Sequence, residues 1–216
     1  MTLFQRLVGH VAIKLCLKNA IGKLKEVQMQ LLNQKQRPRG RSGANVKTTN
    51  IVATAKVRGT FDLTLLANRI SEIESSPQRP WLKMRLKPEN YYIAFYRSGK
   101  FLITGVKDFD LIDQIAKRVL DRLKEAGIAA DLESVTIQNV VLVDEVDIST
   151  TLENIFVSLD DARASYEPEQ FPGLFYKDDD GISYTLFASG KMIVTGLTDI
   201  DKAERNIKKF KAQITT

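Results

Sequence analysis

Histidine and cysteine are nearly missing from this sequence, with His10 and Cys16 the single residue of each type. One cysteine excludes a disulfide framework within the chain, and one of each excludes a Cys/His zinc site. Histidine-dependent triads and two-histidine metal centres are excluded for the same reason. Apolar runs are short as well, far below the roughly 18 residues that a membrane helix needs. No secretory signal fits the N-terminal stretch, because Lys14 and Lys18 interrupt its apolar positions. What is present is a globular composition over 216 residues, 44% apolar and 27% charged, enough for one or two domains with a buried core. The expectation is a soluble, basic, intracellular protein with nucleic acid among its partners.

The excess of base, 32 Lys and Arg against 26 Asp and Glu, is unevenly spread. Residues 1–45 hold nine bases and one acid, Glu26; residues 46–135 hold 15 bases and 11 acids; residues 136–216 hold 8 bases and 14 acids. Beyond residue 45 the acids are in slight excess.

Two stretches of the chain repeat each other. Asn50-Ile51-Val52 recurs as Asn139-Val140-Val141, and Ser98-Gly99-Lys100-Phe101-Leu102-Ile103-Thr104-Gly105 recurs as Ser189-Gly190-Lys191-Met192-Ile193-Val194-Thr195-Gly196. Each copy reads as strand, short helix, proline-containing loop, several strands and long helix. The duplication predicts a pseudo-twofold molecule, with residues 46–135 and 136–216 as its halves. Period-3.6 spacing marks the helices: Leu63, Leu66, Ile70 and Ile73; Ile112, Ile115, Ala116, Val119 and Leu123, capped by Asp108; Leu152, Ile155, Phe156 and Leu159, with Thr150 and Glu153 as a capping box; and Ile200, Ala203, Ile207 and Phe210.

Helices cover one face of such a sheet, so the residues of opposite parity face something else. If Ile51 and Ala53 lie under the helices, Asn50, Val52 and Thr54 face away. If Phe101 and Ile103 point inward, Lys100, Leu102 and Thr104 face away. Asn139, Val141, Lys191, Ile193 and Thr195 repeat the arrangement. An apolar face with small polar groups and marginal lysines suits a second buried layer, an interface between copies, or a ligand surface.

Four motif blocks in the second copy then decide between families: Ile137-Gln138-Asn139-Val140-Val141, Tyr166-Glu167-Pro168-Glu169-Gln170-Phe171-Pro172-Gly173, Leu186-Phe187-Ala188-Ser189-Gly190-Lys191 and Val194-Thr195-Gly196. In this order, and doubled, they resemble the TATA-box-binding protein family over about residues 47–215, the second block most closely its archaeal members. The resemblance implies an α+β saddle: a curved ten-stranded antiparallel sheet with four helices on its convex side and DNA in its concave face. The family is itself the reference case of a minor-groove binder that kinks the duplex, by about 80°, a figure that belongs to the family and does not follow from this sequence. An apolar strip suits A·T pairs, whose minor groove lacks the protruding guanine donor.

By the same resemblance, Asn50 and Asn139 donate to central base acceptors. Val52, Val141, Thr104 and Thr195 line the centre, and Leu102 and Ile193 pack on the groove floor. Phe171 and Phe187 match the wedge pair that enters a base step. The first copy departs from the pattern, with Tyr96 at one wedge position and the other falling at Pro80 or Trp81, of which strand parity favours Trp81. Arg79, Arg85, Lys100, Lys107, Lys177 and Lys191 match phosphate-contacting positions, while Thr198 replaces a base. Glu167 and Glu169 match the loop that recruits the B-type initiation factor. The basic C-terminal helix, with Lys202, Arg205, Lys208, Lys209 and Lys211, is expected on the convex side as a solvated or partner face.

The implied role is a basal transcription initiation factor that binds A·T-rich promoter DNA, bends it and presents it to other factors, RNA polymerase indirectly among them. It needs no cofactor, no metal and no catalysed reaction. Such a protein works in the nucleoid of an archaeal cytoplasm or in a eukaryotic nucleus, with no membrane involved. The competing reading is a diverged saddle that acts mainly as a protein-interaction module with weak bending; an enzyme comes third, because no catalytic domain has room. Residues 1–45 fall outside the resemblance. Leu3, Leu7, Val11 and Leu15 permit a basic amphipathic helix, and Arg37-Pro38-Arg39-Gly40-Arg41-Ser42-Gly43 reads as a basic linker; a transit-peptide-like helix and a disordered tail stay open. Since most of the excess base lies there, deleting residues 1–45 is expected to flatten the salt dependence of DNA binding and leave A·T preference intact. Loss of the preference in a competition gel shift would show that the extension takes part in reading the sequence.

Overall fold

From Ile51 onward the central strand β1 (Lys47–Val57) alternates, with Ile51, Ala53, Ala55 and Val57 buried and the residues between them half-buried. That alternation gives the sheet two unlike faces from the outset. In the computed structural model residues 46–159 and 163–215 are described, and the extension expected over 1–45 lies outside them. After β1 come α1 (Leu63–Arg69), β2 (Ile73–Glu74), β3 (Trp81–Leu86), β4 (Tyr91–Tyr96), β5 (Lys100–Val106) and α2 (Leu111–Glu125). The second copy follows as β6 (Leu132–Glu145), α3 (Leu152–Ser158), β7 (Ala164–Ser165), β8 (Gly173–Lys177), β9 (Ser183–Phe187), β10 (Lys191–Leu197) and α4 (Ile200–Ile214).

All ten strands form one antiparallel sheet in the order β2-β3-β4-β5-β1-β6-β10-β9-β8-β7. The order is palindromic about the β1–β6 pair, so each copy supplies one half-sheet and the two longest strands join them. The four helices lie on one face. Its core contains Ile51, Ala53, Phe95, Phe101, Ile103, Leu142, Leu186 and Val194 from the strands, and Leu66, Ile115, Val119, Leu123, Ile155, Ile207 and Phe210 from the helices. Phe210 stacks on Tyr184 at 4.3 Å and on Tyr176 at 5.1 Å, fixing α4 over β8 and β9. Burial and the bond to Asp178 push the Tyr184 hydroxyl's pKa far up, so it stays a neutral donor to that carboxylate at 3.0 Å.

Helix boundaries differ from the sequence reading wherever a cap competes with periodicity. Asp108 accepts from the Asp110 amide in a turn before α2, and the helix is entered through Asp110 with no side-chain cap. The cap of α3 is Thr151, which accepts from the Asn154 amide, while Thr150 accepts from the Asn154 side chain. Ile70 and Leu159 keep their apolar phase but are extended residues that end α1 and α3, and Ile73 belongs to β2. Lys202 and Lys211 on α4 are not merely solvated: Lys202 meets Asp180 at 2.7 Å, and Lys211 meets the buried Asp144 at 2.6 Å.

One ion pair ties the turn before β2 to α2. Arg122 donates to both oxygens of Glu72, at 3.0 and 2.8 Å. These bonds, followed by one from the Ser71 hydroxyl, hold the Glu72 carboxyl down to about 2, against an ordinary value of 4.5. A carboxyl depressed on folding adds stability above its unfolded pKa and loses it as pH falls through the folded one. Because the Glu72 side chain is 43% exposed, solvent limits the contribution to about 0.5–1 kcal/mol. Glu72→Gln is therefore expected to cost that much at pH 7 and only a small fraction of it by about pH 2, read from urea unfolding across the range. A deficit that persists in full at pH 2 would assign the effect to packing instead.

Candidate nucleic-acid interface

The face opposite the helices is continuous across both half-sheets. Strand registers set Trp81 beside Tyr96, Lys83 beside Ala94 and Arg85 beside Tyr92, then Tyr96, Ala94 and Tyr92 beside Lys100, Leu102 and Thr104. In the other half, Gly173 stands beside Phe187, Phe175 beside Thr185 and Lys177 beside Ser183. Thr185 and Ser183 in turn stand beside Ile193 and Thr195. Across the centre, Val52 pairs with Asn139 and Asn50 with Val141. Trp81, Ala94, Val141, Phe187 and Ile193 are buried, yet they stand outside the core under the helices. The apolar strip expected from parity is present, running along the middle of this face.

At its centre, the repeated Thr-Gly pair has a structural cause. Between Ile51 and Ala53 of β1 lies one residue, but between their partners Val106 and Ile103 of β5 lie two, so β5 carries a bulge at Thr104-Gly105. The β10 register skips in the same way between Val194 and Leu197, at Thr195-Gly196. Both glycines take positive φ, +94° and +86°, which an L side chain resists. The bulge releases each glycine N–H from the ladder, and an asparagine takes it. Gly105 donates to Asn50 Oδ1 at 2.8 Å, and Gly196 donates to Asn139 Oδ1 at 2.8 Å. The Thr104 hydroxyl also donates to Asn50 Oδ1, at 3.1 Å. With the oxygens so engaged, each amide presents its NH2 as donor.

The two ends of the strip carry aromatic rings. Phe171 and Phe187 lie 5.8 Å apart, and Trp81 and Tyr96 lie 6.0 Å apart. Along the margins, Arg79, Arg85, Lys100, Lys107 and Lys177 are exposed and have no acidic partner among the described residues; Lys191 is half-buried. Lys56 and Lys83, by contrast, are taken up by Glu133 and Glu74. Glu167 and Glu169 are exposed on the turn before β8, whose Glu167 carbonyl accepts from the Phe171 amide at 2.9 Å. Placed bases around an apolar, donor-bearing strip are the complement of a minor groove: phosphates outside, acceptors within.

Residues 45–126 and 134–216 each match the family model of Transcription factor TFIID, also described as TATA-binding protein or TBP. The chain belongs to the TATA-binding protein family. It is 32% identical over 174 residues to a TATA-box-binding protein of Archaeoglobus fulgidus, covering 79% of this chain and 95% of that one. A Methanocaldococcus jannaschii relative of the same name is 34% identical over 168 residues, covering 76% and 91%. The solved structure of Methanococcus jannaschii TBP superposes with a TM-score of 0.71 at 34% identity, over 78% of this chain and 97% of that one.

Within this family's pattern the hairpin registers correct one equivalence. Tyr96 and Phe187 occupy matching positions before the Ser-Gly-Lys turns, so Trp81 matches Gly173 rather than Phe171. Arg79 and Pro80 then fall in step with Phe171 and Pro172, because the preceding turn is shorter by one residue in the first copy. The indole nevertheless reaches Tyr96 about as closely as Phe171 reaches Phe187, and so restores a ring pair from a backbone position two residues further on. Arg79 therefore stands at the wedge register rather than at a separate phosphate position. Gly173 was invisible to pattern reading. A Cβ there would lie 2.6 Å from the Phe171 ring and 3.2 Å from the Phe187 ring, so any larger side chain would push the Phe171 ring from its place. Phe175, also passed over, shares the strand parity of Lys177, which was the available signal.

The asparagine anchor is open to a stability test. Asn139→Asp keeps the acceptor for Gly196 and is expected to unfold within about 1 kcal/mol of wild type. Asn139→Leu removes it and is expected to lose about 1 kcal/mol. Equal urea midpoints for the leucine variant and wild type would show that the bulge does not depend on the side chain.

Proposed function

We propose that this protein is a basal transcription initiation factor that binds A·T-rich promoter DNA in the minor groove and bends it. In this reading the bent complex is what the B-type initiation factor recognises, with Glu167 and Glu169 on the contacted loop. The observation that carries it is the pair of bulge-anchored amides, Asn50 and Asn139, at the middle of an apolar strip bounded by aromatic pairs. The names of the archaeal relatives support the same assignment.

The proposed sequence of events is physical. Lys100, Lys107, Lys177, Lys191 and Arg85 attract the phosphates and set the orientation, contributing affinity that falls with salt. The amide NH2 groups of Asn50 and Asn139 donate to acceptors on the central base pairs. Val52, Val141, Leu102, Ile193, Thr104 and Thr195 press against edges where a guanine amino group would collide. Ring insertion at the ends unstacks a base step at a cost of a few kcal/mol, offset by the protein surface that the bent duplex then covers. No bond is made or broken.

A second reading is favoured by one observation: Arg79 at the wedge register and Trp81 at the glycine position make the first copy depart from the second. A saddle that had given up kinking would serve as a protein-interaction module. End-labelled A·T-rich duplex distinguishes the two by FRET at low salt. Bending that weakens as salt rises is expected, and a gel shift that grows further with the B-type factor. An unbent duplex at low salt would reject the DNA reading in favour of the interaction module. Within the first outcome, Asn50→Asp is expected to reduce binding at least tenfold, because it removes two donors and sets a carboxylate against the groove.

A further inference from the structure

Phe175 is 43% exposed, one of three large apolar side chains so exposed among the described residues and the sole aromatic of the three. A lone exposed apolar side chain is ordinary. This one is not alone. Its ring stacks on Phe171 at 4.9 Å with 27° between the planes, and Phe171 in turn meets Phe187 at 5.8 Å and 59°. The most nearly parallel pair at this end is therefore Phe171 with Phe175. Gly173, lying between them along the chain, leaves room for the Phe171 ring between Gly173 and its neighbours Thr185 and Phe187. On its other side Phe175 stands opposite Thr185 in β9, on the concave face.

The matching positions of the first copy hold different chemistry. Lys83 takes the place of Phe175 and pairs with Glu74 at 2.6 Å. Arg79 takes the place of Phe171, and Trp81, only 7% exposed, fills the space that Gly173 leaves open. One end of the strip thus offers three rings, one of them substantially exposed. The other offers two rings, the indole largely covered, beside an ion pair.

We propose that Phe175 is a third DNA-contacting ring, which backs Phe171 at the kinked base step and makes the C-terminal half the dominant kinking end. This rests on the minor-groove reading of the concave face. A ring that enters a base step must hold its angle against the restacking bases. Phe171 has a flat support behind it in Phe175, whereas the matching position of the first copy holds Lys83, which has no ring to offer. The exposed part of the Phe175 ring lies beside the wedge, where a sugar and the adjoining base edge would cover it. Stacking of an aromatic on a base is worth enough to change affinity severalfold to a hundredfold.

The test uses the full chain and an asymmetric A·T-rich duplex carrying 2-aminopurine at one terminal step or the other, whose fluorescence rises on unstacking. Wild type is expected to give a larger rise at one end than at the other. Phe175→Val, which keeps a strand-forming residue, is expected to remove most of the larger signal, leave the smaller one, and weaken binding about tenfold. Lys83→Val is expected to change neither signal. Thermal melts of both variants should match wild type, since the replaced side chains are exposed or partly so. Equal rises at the two ends in wild type, or a Phe175→Val variant with unaltered signals and affinity, would overturn the assignment while leaving minor-groove binding in place. A wild-type protein that fails to shift the duplex at all would overturn both.

Discussion

The pairing of β1 with β6 is the contact on which the remaining architecture depends. Each half-sheet has helices for one face only, and each would end at the middle in an open edge of eleven or fourteen residues. An edge of that length is a template for uncontrolled association. Joining the two long strands antiparallel satisfies both edges at once and relates the copies by a pseudo-twofold axis. It also aligns the uncovered faces into one strip, so that a binding surface results from solving an edge problem.

Duplication then supplies the centre of that strip twice. A bulge at Thr104-Gly105 and another at Thr195-Gly196 each free one glycine N–H, and Asn50 and Asn139 take them. The arrangement orients each amide by its oxygen and leaves nitrogen donors for a partner. A buried acceptor would suit a guanine amino group; a presented donor suits the acceptors that every base pair shows in the minor groove. The polarity of the surface thus follows from a backbone irregularity in the neighbouring strand.

The ends of the strip have diverged while its middle has not. Trp81 at the glycine register and Arg79 at the wedge register could have abolished a ring pair, yet the indole reaches Tyr96 and re-forms one. At the opposite end Gly173 and Phe175 enlarge the aromatic cluster. Both changes work through volume: where the backbone position lacks a side chain, rings from neighbouring positions close in, and where it carries one, that side chain becomes the ring.

The repeats, the two-faced strands and the apolar phases of all four helices were legible in the sequence, because alternation and period 3.6 are local and survive any tertiary arrangement. Strand parity placed Asn50, Val52, Leu102, Thr104, Asn139, Val141, Ile193 and Thr195 on the face away from the helices, and the resemblance implied the saddle. Helix ends were less legible: Asp108 and Thr150 lost the capping role to neighbours, since capping depends on where the backbone leaves the helix and not on residue type alone. What only the tertiary structure decided was equivalence across strands. Hairpin register, set by a one-residue difference in turn length, put Arg79 rather than Trp81 in step with Phe171. It also brought Phe175 onto that ring and turned Asn50 toward Gly105. Register is a relation between segments, and no single segment contains it.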